Sequence, residues 1–375
     1  MAIVPAAPAA DQPAPQGQAV MAALPFVASA HEHTEPAFSL TVVPGATVQQ
    51  VNPLDIPASG YLRSIWLEIA ATGGAGGTAL PDFPWNLIQS IGLQEVNGST
   101  ILNPIDGYAL YIANVVGGYS FINDPAQAPF HVGSTPNPVF YLRVPVEIAA
   151  KDALGALANQ NAAAQFKLSL TINNILSAWS VAPAPVPTLT IKGWLEAWTL
   201  PPDSDNRGRP QAQIPPLLGT GQYWSQTTRS VLVGSNTLGI TRVGNYIRAI
   251  PIICRDGTGA RNDAVFPEPF RFMWDGNMIH NISQRYMQDY FRSKVNGAFT
   301  RPAGVFVLPF NHSDGRMGNE DPVLWLPTMD TSRLEIDGNS ATAGSIQVLV
   351  NEVAPIEINQ AQRYEFPNQT GAIAP

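Results

Sequence analysis

A metal site is the first chemistry that the sequence suggests, in the segment HEHTE of residues 31–35. His31, His33 and Glu35 alternate, so a β-strand would place all three side chains on one face. Imidazole nitrogen and carboxylate oxygen both bind metal ions. The segment nevertheless precedes the first predicted strand and adjoins a stretch without any periodic pattern. We therefore predict no metal site there.

Two other stretches have residues that catalytic or phosphate-binding sites use. The glycine-rich stretch TGGAGGT, residues 72–78, is followed by neither a lysine nor a helix start, which a phosphate-binding loop requires, so we expect a connection between strands. Glu335 and Asp337 could supply the two carboxylates of a glycosidase, but no partner acid is identifiable, so we expect an exposed strand face. No segment has the pattern of a serine nucleophile elbow. The sequence predicts no catalytic residue, no cofactor-binding residue and no metal ligand, and hence a protein that is not an enzyme.

The cysteine and the tryptophans are better explained by packing than by chemistry. Cys254 is the single cysteine, so neither an internal disulfide nor a cysteine-based metal site can form, and a small buried side chain is expected. The tryptophans are spread over the whole chain, which favours cores and subunit contacts over one sugar-binding platform. They are Trp66, Trp85, Trp179, Trp194, Trp198, Trp224, Trp274 and Trp325.

Composition indicates an all-β protein. Of 375 residues only 13% are charged, about half the usual ~25%, while 31 are glycine and 35 proline. The net charge of −8 argues against direct binding of nucleic acid, which needs a basic surface. Residues 1–200 carry 5 basic and 12 acidic residues, whereas residues 201–375 carry 15 and 16. No Lys or Arg precedes Arg63 and no apolar run approaches ~20 residues, so we expect neither a secretory signal nor a membrane span.

The elements divide the chain into five segments. Short strands separated by Gly and Pro run through most of it, and Asn97-Gly98 is a strong hairpin signal. Helices are predicted at 106–117, with Asp106 as cap, and at 283–296, with Ser283 as cap and Asn296-Gly297 as stop; AAKDALGALA, residues 149–158, is a third candidate. The predicted segments are an Ala/Pro-rich arm (1–35), a first jelly roll (36–200), a Pro-rich linker (201–216), a second jelly roll (217–355) and a C-terminal tail (356–375).

An internal duplication links the two predicted jelly rolls. Tyr61, Arg63, Ile65 and Leu67 fall on Tyr246, Arg248, Ile250 and Ile252 at a constant offset of 185 (246 − 61). Val116 and Gly118 fall on Val295 and Gly297, and Pro145 falls on Pro309, in the same order. We therefore predict two superposable eight-stranded jelly rolls in tandem, each with an inserted short helix, which is a double jelly roll.

This organisation resembles the double jelly-roll major capsid proteins of tectivirus-like phages, in the lineage that they share with adenovirus. The resemblance covers residues about 36–355 and depends on the stretches GYLRSIWLEIAATG, NGSTILNPIDGYALYIANVVGGY, YIRAIPIIC, SQRYMQDYFRSKVNGAF and FVLPFNHSDGRMG. It implies pseudo-hexagonal homotrimers that tile the icosahedral capsid shell of a virion, often over an internal lipid membrane. The implied partners are further copies of the chain and penton or minor capsid proteins.

Two expectations accompany this resemblance. The arm contains the apolar stretch VMAALPFVASA, which could dock on a neighbouring copy or contact the internal membrane, with a short helix ending before Pro25. The alternative function is a secreted two-domain carbohydrate-binding protein or glycoside hydrolase of β-sandwich fold. The lack of a basic signal start and of a carboxylate constellation counts against this alternative.

Overall fold

A computed structural model describes residues 22–117, 136–149, 151–240, 244–294, 301–310, 325–329 and 331–353. The strands up to residue 198 form the first unit, and those from residue 222 form the second unit. The first unit contains β1 (Glu32–Val42), β2 (Gln49–Gln50), β3 (Leu54–Asp55), β4 (Tyr61–Thr72), β5 (Thr78–Ala79), β6 (Ile88–Gln94), β7 (Thr100–Ile105), β8 (Val139–Pro145), β9 (Leu157–Ala158), β10 (Lys167–Ile172), β11 (Trp179–Val181) and β12 (Thr188–Trp198).

The second unit has fewer short accessory strands. Its strands are β13 (Gln222–Val231), β14 (Gly234–Ile240), β15 (Tyr246–Asp256), β16 (Phe270–Trp274), β17 (Asn277–Ile282), β18 (Val305–Pro309), β19 (Leu326–Pro327), β20 (Leu334–Ser340) and β21 (Gly344–Val353). The α-helices are α1 (Phe26–Ser29), α2 (Gly107–Val116) and α3 (Gln284–Lys294), and 3₁₀ turns cover Trp85–Leu87, Ile175–Ser177 and Asp263–Val265.

The two units share one strand order. In the first unit the sheets run β1-β12-β4-β8 and β2-β10-β6-β7; in the second they run β13-β21-β15-β18 and β14-β20-β16-β17. If the eight principal strands of each unit are numbered along the chain, both units have the orders 1-8-3-6 and 2-7-4-5. This is an eight-stranded jelly roll, and a helix follows the fifth strand in each. The predicted all-β double jelly roll is confirmed.

Strand register supports the internal duplication. Ser64 of β4 pairs with Pro145 of β8, and Ala249 of β15 pairs with Pro309 of β18. Ser64 and Ala249 are separated by the offset of 185 (249 − 64) that the sequence predicts. Tyr61 and Tyr246 both begin the third principal strand. The anchor formed by Gly118, Val295 and Gly297 lies outside the described residues.

Local signals explain the hairpin and both longer helices. Gly98 has φ +88° in the turn between β6 and β7, where the Glu95 N–H donates to the Ser99 carbonyl over 2.8 Å. Asp106 caps α2 because its carboxylate accepts from the Ala109 N–H at 2.7 Å. Ser283 caps α3 by accepting from the Tyr286 N–H at 3.2 Å. The predicted stop of this helix at Asn296-Gly297 lies outside the described residues.

The helix predicted for residues 149–158 is wrong. Ala149 and Leu154 form an isolated antiparallel bridge around a turn, and Leu157–Ala158 is strand β9, which pairs with β4. Ala153 has φ +57° and Gly155 φ +86°, conformations that a right-handed helix excludes. The turn is buried on two sides: Ala153 and Ala156 pack with Tyr61 and Trp198 of the first unit, and Ala149 and Leu154 pack with Trp325 and Val353 of the second.

The beginning of the described chain also differs from prediction. β1 starts at Glu32, so HEHTE overlaps the first strand instead of preceding it, and α1 starts after Pro25 instead of ending before it. Phe26 is buried, and its ring lies edge-on to those of Tyr61 at 5.3 Å and Trp198 at 6.3 Å. This aromatic contact orders a segment that lacks any periodic pattern in sequence.

Residues 201–216 are held by the same N-terminal segment. The Leu24 N–H donates to the Pro210 carbonyl at 2.9 Å, and the Ala212 N–H donates to the Leu24 carbonyl at 3.0 Å. The Tyr61 hydroxyl also donates to the Gln213 carbonyl at 3.1 Å. The Pro-rich connection is therefore fastened to the first unit, although its sequence suggests only a linker.

Two large apolar cores fill the molecule, and the larger one extends across the boundary between the units. The larger core fills the first unit and also includes Trp224, Ala249 and Leu349 of the second. The other core lies between the sheets of the second unit, around Phe266, Phe270 and Phe306. No helix among the described residues is long and apolar enough to span a bilayer.

Candidate assembly surfaces

The junction between the units joins two sheets into one. β13 pairs in parallel with β7 through Trp224 and Leu102, so that β18-β15-β21-β13 continues into β7-β6-β10-β2. Trp224 is 1% exposed and its carbonyl accepts from Asn103 Nδ2 at 3.3 Å. Every residue of α2 is buried, because the helix lies between β8 of its own unit and β15 of the next. The second unit thus covers the edge strand and the helix of the first.

A buried ion cluster crosses this junction. The Asp82 carboxylate of the first unit pairs with Arg255 and, at 2.7 Å, with Nε of Arg261, both of the second unit. Both guanidinium groups lie over the Tyr108 ring, at 5.5 and 5.0 Å from its centre. Burial raises the pKa of Tyr108 above its ordinary value, which already lies well above neutral pH. One carboxylate therefore connects two cations and an aromatic helix residue across the units.

The start of α2 is tied to the second unit as well. Oδ1 of Asp106 caps the helix, while its Oδ2 accepts from Gln226 Nε2 at 2.8 Å and from Gln347 Nε2 at 3.1 Å. These glutamines belong to β13 and β21. Beside them a cleft of about 530 Å³ opens between the units, with Asp82 and Arg255 among its lining residues. The helix cap thus also fixes how the two jelly rolls meet.

A pair of arginines occupies equivalent positions in β4 and β15. Arg63 is buried, stacks on Trp198 at 4.3 Å and pairs with Glu32 and Glu147, each at 2.8 Å. Burial raises the pKa of Glu147, and the nearby positive charge of Arg63 opposes this effect. Arg248 is also buried, and its guanidinium donates to Oδ1 of Asn351 and to the Gly117 carbonyl, each at 3.3 Å.

These arginines have diverged in their partners. Arg63 fastens the start of β1 through Glu32, whereas Arg248 reaches across the junction to the C-terminal end of α2. A cation at that end of a helix is stabilised by the helix dipole. The second copy of the arginine therefore serves the contact between units, and the first serves the N-terminal segment.

The candidate metal residues do not converge. His33 Nε2 lies 2.7 Å from the Ser59 hydroxyl and 3.9 Å from Oε1 of Glu35. His31 is exposed, and its backbone N–H donates to the Thr199 hydroxyl at 2.9 Å. In the part of the chain that the structure describes, no three His, Cys, Asp or Glu side chains are grouped so that they could hold a metal ion.

The remaining candidate residues have structural surroundings. Glu335 and Asp337 lie on β20 and pair with Arg333 at 2.7 Å and with Arg271 at 3.0 Å, respectively. Residues 72–78 connect the end of β4 to β5, and no helix starts there. Cys254 is fully buried, and burial raises the pKa of its thiol. Trp85, Trp179, Trp198, Trp224 and Trp325 are buried, and Trp66, Trp194 and Trp274 are half-buried.

Sequence reasoning missed the ion cluster of Asp82, Arg255 and Arg261. Asp82 lies in a loop of the first unit, and its partners lie more than 170 residues later along the chain. No spacing rule relates residues so far apart. The uneven charge of the two halves was the one available signal, because an acidic first half can pair with arginines of the second.

Comparison with solved structures identifies the same architecture in viral capsids. The chain aligns with the major capsid protein of Sulfolobus turreted icosahedral virus at a TM-score of 0.58 and 13% identity, over 92% of this chain and 100% of that chain. With the chain in the atomic structure of that virus, the TM-score is 0.60 and the identity 14%, over 90% of this chain and 94% of that chain. The major capsid protein P2 of bacteriophage PM2 aligns at a TM-score of 0.53 and 10% identity, over 86% of this chain and 97% of that chain.

Sequence comparison adds nothing to this structural likeness. By sequence the chain matches no protein-family model and no curated protein. With identities of 10–14%, the structural alignments establish the fold alone. The chain therefore has the double jelly-roll fold that the major capsid proteins of these viruses also have.

Proposed function

We propose that this chain is a major capsid protein whose function is to assemble with further copies of itself into the shell of a virion. One observation carries the proposal. The same eight-strand order occurs twice in tandem with a helix after the fifth strand, and this architecture aligns over about nine-tenths of the chain with capsid proteins. The proposal assigns no catalytic role, and the ion pairs that engage Glu335 and Asp337 support this.

The finer architecture that we propose is a pseudo-hexagonal homotrimer. Each chain provides two units of the same topology, so three copies present six similar units, and such a ring can occupy sixfold positions of an icosahedral lattice. Penton or minor capsid proteins would complete the shell at other positions. The division into arm, first jelly roll, linker, second jelly roll and tail stays part of this proposal.

The arm is proposed to act on the inner side of the shell. Residues 1–35 contain no Lys or Arg, so attraction to anionic headgroups cannot drive contact with an internal membrane. Any contact would depend on apolar residues such as Ile3, Val4 and Val20. Phe26 is already packed in the first unit, so the part of the arm proposed for contacts with neighbours or lipid ends before it.

Light scattering and electron microscopy of the purified chain test this function. We expect a mass of about 120 kDa, three times the 40.1 kDa of one chain, and shell-like particles or hexagonal sheets at high concentration. The matched comparison is binding to an array of polysaccharides, which the alternative carbohydrate-binding function requires. A monomer at all concentrations that binds a polysaccharide would contradict the capsid proposal.

A further inference from the structure

We infer that strand β17 and helix α3 of one copy bind strand β1 of a second copy, repeating between chains the junction that joins the two units within a chain. The inference depends on the proposed capsid function and names the surface through which copies associate. It follows from which strand edges are covered, which apolar residues are exposed and where charge of each sign lies.

Strand edges provide the first observation. Inside the chain, the fifth strand of the first unit, β7, is covered by the first strand of the second unit, β13. The equivalent outer strands at the two ends of the molecule are β17 and β1, and neither pairs on its outer side with any described strand. Unpaired strand edges are sites at which further strands or chains add to a sheet. A second copy could therefore place β1 on β17 as β13 lies on β7.

Exposed apolar side chains provide the second observation. On β17, Met278 is 54% and Ile279 is 44% exposed, and Tyr286 of the following helix is 55% exposed. On β7, the strand that the second unit covers, Ile101 is 4% exposed and Leu102 is fully buried. The fifth strand is thus apolar in both units, but only in the first unit does another described strand pack on its outer edge. Burying the apolar surface of β17 would supply a favourable hydrophobic contribution.

Charge provides the third observation. The sequence of α3 contains three basic residues and one acidic residue, and Arg285 is exposed. On the β1 side, Glu32 and Glu35 keep 60% and 41% of their side-chain surface exposed. The internal junction also joins an acid of the first unit, Asp82, to arginines of the second, although there the acid is on the β7 side and the arginines are on the β13 side, the reverse of the arrangement proposed between copies. A first unit of one copy therefore complements a second unit of another.

The repetition also predicts which residues meet. Thr34 of β1 lies in register with Ser64 across one intervening strand, and Trp224 of β13 lies in register with Ala249 across one intervening strand. Because Ser64 and Ala249 are equivalent positions, Thr34 corresponds to Trp224. In β17, Ile279 corresponds to Leu102 of β7, since each lies four residues before the residue that caps the next helix. Trp224 and Leu102 form the bridge of the internal junction.

Two properties of the intermolecular contact follow. Thr34 of one copy should lie near Ile279 of the next. The contact is heterologous, so it does not form a two-fold dimer, and with a rotation of 120° between copies it closes into the proposed ring of three.

Cross-linking tests the predicted contact. The double variant Thr34→Cys, Ile279→Cys is treated with a short bifunctional maleimide, and products are separated by denaturing electrophoresis. Cys254 is buried and so should not compete for the reagent. We expect covalent dimers and trimers from the double variant and essentially none from either single variant, because the two cysteines that meet lie at different positions in the chain. Val233→Cys in place of Ile279→Cys is the matched control, since Val233 is 67% exposed but lies in the turn between β13 and β14.

The outcomes separate this inference from the proposed function. A trimer by light scattering with cross-linking in the Thr34–Ile279 variant alone supports both. A trimer in which that variant does not cross-link, or in which a single variant forms dimers, overturns the surface assignment and leaves the capsid proposal standing. A monomer at every concentration overturns both.

A second pair of variants measures the contribution of the apolar edge. Ile279→Asp should shift the trimer toward monomer, with at least a tenfold rise in the concentration needed for assembly. Leu232→Asp, at a residue that is 73% exposed outside the proposed surface, should leave that concentration unchanged. Circular dichroism checks that both variants fold. If both variants needed the same protein concentration for assembly, the assignment of this surface would be overturned.

Discussion

Removing the charge of Asp82 is expected to destabilise the contact between the two units. Asp82→Asn keeps the shape of the side chain but leaves Arg255 and Arg261 facing each other without a carboxylate. The Asp82 side chain is 9% exposed and both arginine side chains are 18% exposed, so water replaces the lost partner poorly. Breaking a buried ion pair by removing one partner costs ~3–5 kcal/mol. Because the arginines keep some exposure, we expect about 3 kcal/mol, at the lower end of that range.

Urea denaturation at pH 7 measures this loss, with all proteins at one concentration because oligomers are stabilised by mass action. The matched control is Asp337→Asn, which removes an ion pair with Arg271 whose side chain is 40% exposed. Surface pairs contribute about 0–1 kcal/mol, so the control should lose at most that amount. Hydrogen exchange should also rise at residues 255–261 in Asp82→Asn. Equal losses in the two variants, or no change in exchange there, would refute the reasoning.

Three further predictions concern the N-terminal segment and the second unit. Phe26→Ala removes a ring packed on Tyr61 and Trp198, so it should cost roughly 3–5 kcal/mol in that contact and make residues 22–31 more sensitive to limited proteolysis than they are in the wild type. Deleting residues 2–21 should leave the number of copies in the oligomer unchanged in light scattering but reduce shell formation. Deleting residues 2–30 should also lower the melting temperature, because this deletion removes the buried Phe26. An equal melting temperature for both deletions would contradict this. Partial burial raises the pKa of Asp263, but hydrogen bonds from Arg301 and Gly304 lower it by more, so the pKa lies below its ordinary 3.8. The stabilisation from this carboxylate is complete above pH 3.8 and is lost as the pH falls through the lowered pKa. Asp263→Asn should remove this part of the acid denaturation curve.

The sequence predicted the repeated parts of the fold well because their signals are local. The caps at Asp106 and Ser283, the hairpin at Asn97-Gly98 and the constant offset between β4 and β15 each involve neighbouring residues or one repeated strand. Such signals do not depend on how distant elements pack.

The errors have one physical origin. Residues 149–158 have helix-forming composition, but tertiary packing and the left-handed residues Ala153 and Gly155 impose a turn. The N-terminal segment is ordered by Phe26 meeting Tyr61 and Trp198, a contact between distant positions. The junction cluster around Asp82 likewise joins residues far apart in sequence. Long-range contacts decide all three features, and the local patterns of a single sequence do not specify which distant residues meet.

Cryo-electron microscopy of the purified oligomer tests the central claim most directly. We predict three copies around a threefold axis, with six jelly rolls forming a pseudo-hexagonal ring and β1 of each copy beside β17 of the next. The chain's own unit-to-unit junction would then recur at each contact between copies. A monomer, or an assembly in which the two units of each chain do not alternate around one ring, would contradict this account.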